Sequence, residues 1–443
     1  MKMKTGTNMT NRRSVLRTGF GGAVALAAAL VATPAMAKEL EAGFVINKGN
    51  FDSIKNDTFE GKTIASMVPE KLEWMIRNYD LTIKLANSKK IVMDPKYVQA
   101  TKDGAKDVKF NTADRTVSGW KAGMMFPPET IKMDDPHAGD KVIWNLRAAT
   151  YGATMDLRDI AWAFLDAKKG YERVQAFQSR RYYMEGRLDG GPVSEGDGTV
   201  AQKTYFVATY PQDIRGLGLF SVRYNQADSK KPDDSYAYLK SVRRTRRLSG
   251  GAWMDPIGGT DQLYDDWDIW DAAPTKYKSN KLIEKRWVLA IAHSPEMSVD
   301  VKQPWTDPAK RFPRIGIDIP PHFNPAPDIG WEPREVYVVE GTCPDEHPYS
   351  KKVVYMEVDF PRPYLGYALD RKGEFWKMFI FQNRPDVGDD GYKAVMPVIG
   401  HIIDVKRGHA TNWSSNMKSN PKGVKETDVA LNILEEVATG TGK

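Results

Sequence analysis

Seven segments beyond residue 178 share one make-up, and their succession constrains the fold more than anything else in the chain. They are RRYYMEGRL (180–188), KTYFVATY (203–210), GLFSVRYN (218–225), KLIEKRWVLAI (281–291), REVYVVEGT (334–342), SKKVVYMEVDF (350–360) and GEFWKMFIFQN (373–383). Each is rich in β-branched and aromatic residues, and proline, glycine and aspartate turns separate them, which is how strands are written. No regular helices alternate with them, so a doubly wound α/β arrangement is disfavoured. A large curved antiparallel sheet or a partly closed barrel with packed helices is expected, in the α+β class. The turn from Asp370 to Gly373 returns the chain antiparallel between the last two segments.

Such a sheet buries its apolar surface under helices or around its own interior. Residues 64–85 carry Met67, Leu72, Met75, Ile76, Tyr79 and Ile83 at three- and four-residue intervals, with Pro69 near the first turn. This predicts an amphipathic helix. Lys71 and Arg77 alternate with Glu73 and Asp80 on it, so packing on the body is favoured over lying on a membrane. A second helix is expected over 155–175, where Leu157, Ile160, Ala161, Phe164 and Leu165 make an apolar face. The division that follows is a mixed helical part over 38–177, a β part of the same body over 178–415, and a C-terminal helix or tail over 416–443. With 12 tryptophans, 19 tyrosines and 16 phenylalanines, the aromatics either fill a solid core or line a cavity.

The first 37 residues say where the chain goes. TNRRSVLRTGFGGAVALAAALVATPAMA opens on Arg12 and Arg13, runs through an apolar stretch without acids and ends in Ala35, Met36, Ala37. It resembles a twin-arginine export signal cut after Ala37, which implies a periplasmic protein, at most peripheral at the outer membrane. The precursor charge of +7, less the five charges of Lys2, Lys4, Arg12, Arg13 and Arg17, leaves +2. A near-neutral chain has no global attraction for nucleic acid, and none is expected as a partner. Cys343 is the only cysteine, so it forms no internal disulfide and is expected to be buried and inert. The six histidines are scattered without ligand spacing, and no cofactor or metal is expected.

One stretch, 238–271, concentrates charge. On an extended strand, Arg243 and Arg247 share a face with Thr245, while Arg244 and Arg246 face the other way with Leu248. One set is expected to pair with Asp261, Asp265, Asp266, Asp268 and Asp271, and the other to meet an anionic head group or membrane surface. Gly250, Gly251, Pro256, Gly258 and Gly259 would turn the chain so that the acidic run, with Trp253, Trp267 and Trp270, returns towards the arginines. The run lacks the glycine and terminal glutamate of a calcium loop. Trp120, Met124, Met125 and Phe126 form a candidate portal, since methionine adapts to irregular apolar ligands; the alternative is that they cap the sheet. Catalysis is the weaker reading. Carboxylate pairs such as Asp265 with Asp268 or Glu335 with Glu340 are common and imply no raised pKa without burial, His401 with Asp404 lacks a nucleophile in context, and no Gly-x-Ser-x-Gly elbow, P-loop or Gly-x-Gly-x-x-Gly turn is present.

Several segments taken in order carry a family resemblance. They are GWKAGMMFPP (119–128), DDPHAGDKVIWN (134–145), YPQDIRG (210–216), DSYAYLKSVRRTRR (234–247), GGTDQLYDDWDIWD (258–271) and REVYVVEGTCPDEHPYSKKVVYMEVD (334–359). The succession resembles the exported proteobacterial family known as domain of unknown function 1329, described as similar to outer-membrane lipoprotein-sorting proteins. The resemblance implies a curved antiparallel sheet with helices against it, like carrier folds that shelter acyl chains. It further implies a lipid or other hydrophobic ligand and a transporter of the resistance-nodulation-division type, or an outer-membrane protein, as partner. The counterparts of the family's segments are Asp134, Pro136, Gly139, Trp144 and Asn145; Tyr210, Pro211 and Gly216; and Arg243, Arg244, Arg246 and Arg247. The chain departs in its twin-arginine-like signal and in GWKAGMMFPP, where a Gly-Leu-Pro-Phe-Pro type of segment is expected. A structural adaptor of an envelope complex, or an exported enzyme, are the alternatives to a carrier.

Overall fold

Thirteen strands follow one another by antiparallel register in the main sheet. The computed structural model describes residues 37–225, 231–239, 244–248, 252–294 and 296–439. Residues 1–36, read from the sequence as most of an export signal, and Arg243, Gly250 and Gly251 lie outside these. Of the 17 strands in the sheet, β1 (Val45–Ile46), β2 (Ile83–Leu85) and β3 (Thr154–Leu157) are short, and β4 (Ala161–Asp166) and β5 (Gly170–Tyr183) form a hairpin. A meander continues through β6 (Val200–Tyr210), β7 (Gly218–Tyr224), β8 (Asp234–Leu239) and β9 (Arg244–Arg247). A second meander runs through β10 (Ser279–Ile291), β11 (Gly330–Thr342), β12 (Tyr349–Glu357), β13 (Pro363–Asp370), β14 (Phe375–Val387), β15 (Lys393–Asp404) and β16 (His409–Ser414). β16 pairs with β4, and this joint makes the two meanders one sheet. The short β17 (Lys418–Ser419) pairs with β3, and β2 lies parallel to the start of β11.

The edge strands β9 and β10 share no register among the described residues, so the sheet is open and the barrel alternative does not hold. Both faces are nevertheless covered. Val336, Val338, Val353, Leu365 and Ile380 point into one core, while their neighbours Tyr337, Val339, Val354, Ala368 and Phe381 point into another. The first face is covered by α1 (Ile64–Met67) and α2 (Glu70–Asn78), which bury Met67, Leu72, Met75 and Ile76. The second is covered by α3 (Ala138–Arg147) and by the acidic segment after β9. A smaller core forms where Leu434 of α4 (Asn432–Thr439) meets Tyr205, Val207 and Phe220.

Two sequence expectations need correction. The long helix over 64–85 is two helices with Pro69 as the cap between them; Asp80 at φ +48° turns the chain, and 83–85 is strand. The helix expected over 155–175 is absent, and β3, β4 and the start of β5 occupy that stretch. Residues 161–165 are buried on both faces of the sheet, so their apolar run is continuous, and a continuous run matches a helical template as well as a strand. The β part therefore begins near residue 154, inside the region expected to be helical.

Candidate functional site

The acidic segment is an insert laid on the second face of the sheet. It consists of the short 3-10 turns Ala252–Met254, Tyr264–Ile269 and Pro274–Lys276. Asp268 and Ile269 both hold a left-handed backbone, at φ +49° and +65°, which bends the run sharply. For β-branched Ile269 this is strained, and the fully buried side chain fixes it by filling the space above Gly366, where a Cβ would lie 2.6 Å from Ile269 Cγ2.

Each carboxylate of the run is tied to the body of the protein. Asp261 Oδ2 lies 2.5 Å from His409 Nδ1 and accepts from Thr411 at 2.9 Å. Lys352 Nζ reaches Asp265 at 2.8 Å and Asp266 at 2.7 Å. Tyr277 donates to Asp265, and Tyr349 to Asp266 at 2.9 Å. Tyr151 donates to Asp268 at 2.5 Å, and Arg223 to Asp271 at 2.6 Å. Lys352, Asp265 and Asp266 have no side-chain exposure. Burial alone would lower the Lys352 ammonium, but the two carboxylates hold it above its ordinary value. The run is thus anchored by ion pairs, but with other cations: Lys352, His409 and Arg223 take the place of the described strand arginines Arg244, Arg246 and Arg247. Arg247 pairs instead with Asp234 on the neighbouring strand.

Beside the insert, strands β5 to β8 remain partly uncovered and form the floor of a cavity of about 230 Å³. Register divides this floor into two rows. Phe206 stands opposite Ser179 and Leu219, forming a mostly apolar row. One step along, Thr204 stands opposite Arg181 and Ser221, and Ser221 opposite Ser235, forming a polar row. Residues two apart share a face of a strand, so both rows look into the same cavity. Trp162 stacks 5.3 Å from Phe206, and Trp267 meets Phe206 edge-on at 6.1 Å, making an aromatic wall. Trp253, Ile257 and Leu248 complete the apolar lining.

The polar end holds three arginines. Arg223 pairs with Asp233 at 3.0 Å as well as with Asp271. Arg147, at the end of α3, donates to the Asp271 carbonyl at 2.5 Å and lies 3.5 Å from Asp233. Burial opposes the Asp271 charge, yet Arg223 and Arg147 hold its carboxyl below the ordinary value. Arg181 donates from Nε to Thr204 Oγ1 at 3.1 Å and from a terminal nitrogen to the Tyr183 hydroxyl at 3.5 Å. It makes no ion pair with any described carboxylate.

The structure gathers only part of the predicted set here. Trp253 and Trp267 line the cavity, whereas Trp270 is buried beside it against Tyr277. Arg244 and Arg246 alternate with the cavity-lining Leu248 on β9, so they stand exposed on the cavity side of the sheet edge, and Arg247 is on the other side. Trp120 donates to the Gly123 carbonyl at 3.0 Å, and Met124, Met125 and Phe126 are buried away from the cavity lining, with Met125 and Phe126 in the second-face core. Cys343 is buried, and its thiol is pushed up to about 12 by desolvation. His401 contacts the Phe323 carbonyl while Asp404 binds Lys377, so they form no dyad. Sequence reasoning missed Arg147, Arg181, Arg223, Trp162 and Phe206. The signal was the alternation of polar and aromatic residues within KTYFVATY and GLFSVRYN.

The family described as "Protein of unknown function (DUF1329)" matches residues 45–432. No curated protein matches the sequence. Among solved structures, the chain is similar to a putative outer membrane lipoprotein-sorting protein domain from Vibrio parahaemolyticus, at 17% identity and TM-score 0.43 over 68% of this chain and 100% of that one. It is similar to a DUF1329 family protein from Desulfovibrio piger at 15% identity and TM-score 0.45, over 68% and 99%. A LolA superfamily protein from Nitrosomonas europaea follows at 14% identity and TM-score 0.37, over 67% and 98%.

Proposed function

On the premise that this chain belongs to the DUF1329 family of proteins of unknown function, we propose that it binds a lipid or other hydrophobic compound in the periplasm. Peripheral at the outer membrane, it passes the compound to or from an envelope transporter of the resistance-nodulation-division type or an outer-membrane protein. The observation that carries this reading is the cavity in which a wall of Trp162, Phe206 and Trp267 adjoins a row of hydroxyls and a guanidinium. A methylene withdrawn from water contributes about 0.8 kcal/mol, so a chain of about ten carbons gains roughly 8 kcal/mol before the cost of association. That supports useful affinity without catalytic chemistry.

The size of the cavity narrows the ligand. At about 230 Å³ it is smaller than the roughly 300–1,000 Å³ of drug-sized ligand sites, so it suits one chain or one compact ring system. A ligand with several chains would need the insert to move.

The test is native mass spectrometry of the protein released from the periplasm without detergent. A co-purifying apolar molecule is expected, and Leu219→Trp, which fills the floor, should lose it. A wild-type protein that arrives empty and takes up no hydrophobic compound offered to it refutes the reading.

A further inference from the structure

We propose that the ligand carries an oxyanion, and that Arg181 with the hydroxyls of Thr204, Ser221 and Ser235 receives it while the apolar body lies along Trp162, Phe206 and Trp267. This rests on the binding role proposed above and names the class of compound: a single-chain or compact-ring amphiphile with a carboxylate, sulfonate or phosphate head.

The first argument is charge balance. Two of the three arginines in the cavity are matched by Asp233 and Asp271, which Arg147 and Arg223 share. Asp268 accepts from Tyr151. Arg181 is left with only neutral partners, Thr204 and Tyr183. A guanidinium stays protonated at any physiological pH, and removing it from water without a counter-charge is unfavourable. Asp268 and Asp271 act on Arg181 only through space, with no described carboxylate at ion-pair distance, and an anion bound in the cavity supplies that contact.

The second argument is the donor set. Thr204 Oγ1 accepts from Arg181, so its own proton is directed elsewhere. Register sets Ser221 beside Thr204 and Ser235 beside Ser221 on the same face, so three hydroxyls extend from the guanidinium across neighbouring strands. Gln202, only 9% exposed, lines the same end with its side-chain amide. Hydroxyl, amide and guanidinium groups thus line one row of the floor, and an oxyanion seated beside Arg181 has the several lone pairs to accept from the donors within its reach. A neutral alcohol or a cationic head would leave Arg181 without a counter-charge in contact.

The experiment titrates the purified full mature chain with decanoate, decan-1-ol and decyltrimethylammonium by calorimetry. Decanoate is expected to bind about tenfold or more tightly than the alcohol, as a charge-assisted hydrogen bond implies, and the cation most weakly. Arg181→Met should bring decanoate to the level of the alcohol. Equal affinity of the three compounds for the wild type overturns the oxyanion assignment and leaves hydrophobic binding standing. This comparison does not depend on the variant folding. Absence of binding by all three overturns the underlying reading, and the assignment falls with it. Inorganic phosphate that binds alone as tightly as decanoate overturns the amphiphile in favour of a free-anion site.

Discussion

The indole of Trp270 occupies the place that a side chain at position 341 would take. A Cβ built on Gly341 would overlap the Trp270 ring and come within 2.8 Å of Tyr277 Cδ1. The glycine in strand β11 is therefore a socket for the insert, and the insert forms one wall of the cavity. Gly341→Val should destabilise the fold by about 1–3 kcal/mol, the usual cost of overpacking, and weaken ligand binding by displacing the wall. Urea unfolding and a decanoate titration of the same sample measure the two effects.

Lys352 supplies a second anchor for the insert. Replacing it by methionine leaves Asp265 and Asp266 buried without their cation, a change that costs about 3–5 kcal/mol when a buried pair loses one partner. The triple variant Lys352→Met, Asp265→Asn, Asp266→Asn removes the charges together and should recover most of that loss. Comparison of urea midpoints tests both statements, and a single variant as stable as the wild type contradicts the anchoring role.

These anchors mark the boundary of what sequence reading reaches. Strand alternation correctly put Arg244 and Arg246 on one face of β9 and Arg247 on the other, because a period of two is local. The turn at Gly258 and Gly259, both with positive φ, was equally legible, since it is written in adjacent residues. Which cation meets which carboxylate was not. Asp265 and Lys352 lie 87 positions apart and Asp261 and His409 lie 148 apart, so their meeting depends on strand order rather than on any local pattern. The same limit hid the cavity: Arg181, Thr204, Ser221 and Ser235 become one row only when four strands are in register. In 155–175 the local signal itself misled, because burial on both faces erased the alternation that identifies a strand.

His409 gives the insert a dependence on pH. Its hydrogen bond to Asp261 raises it above its ordinary value of 6.5, with Glu172 acting in the same direction. Asp261 is opposed by burial, but His409 and Lys377 hold it below its ordinary 3.8. A raised histidine stabilises the fold fully below its unfolded value and loses that contribution as pH rises through the folded value. A depressed carboxylate stabilises above its unfolded value and loses it as pH falls. The pair is thus strongest between the two ranges. The difference in unfolding midpoint between wild type and His409→Gln should be greatest near about pH 5.5 and shrink towards about pH 9. A difference independent of pH would show that His409 acts only through packing.

Arg244 and Arg246 stand exposed at the sheet edge, on the face that Leu248 presents to the cavity, and neither makes an ion pair with a described carboxylate. Exposed cations near a mouth raise the local concentration of an anion without contacting it in the bound state, and salt screens their effect over about 8–10 Å. Arg244→Glu with Arg246→Glu should therefore leave the unfolding midpoint unmoved and slow decanoate association at low ionic strength. At high ionic strength its association rate should converge on that of the wild type, and the dissociation rate should stay the same throughout. Stopped-flow mixing across a salt series separates this from direct contact, which would instead speed dissociation at every salt concentration. Arg181 is the internal comparison, because its loss should act on dissociation and persist in high salt.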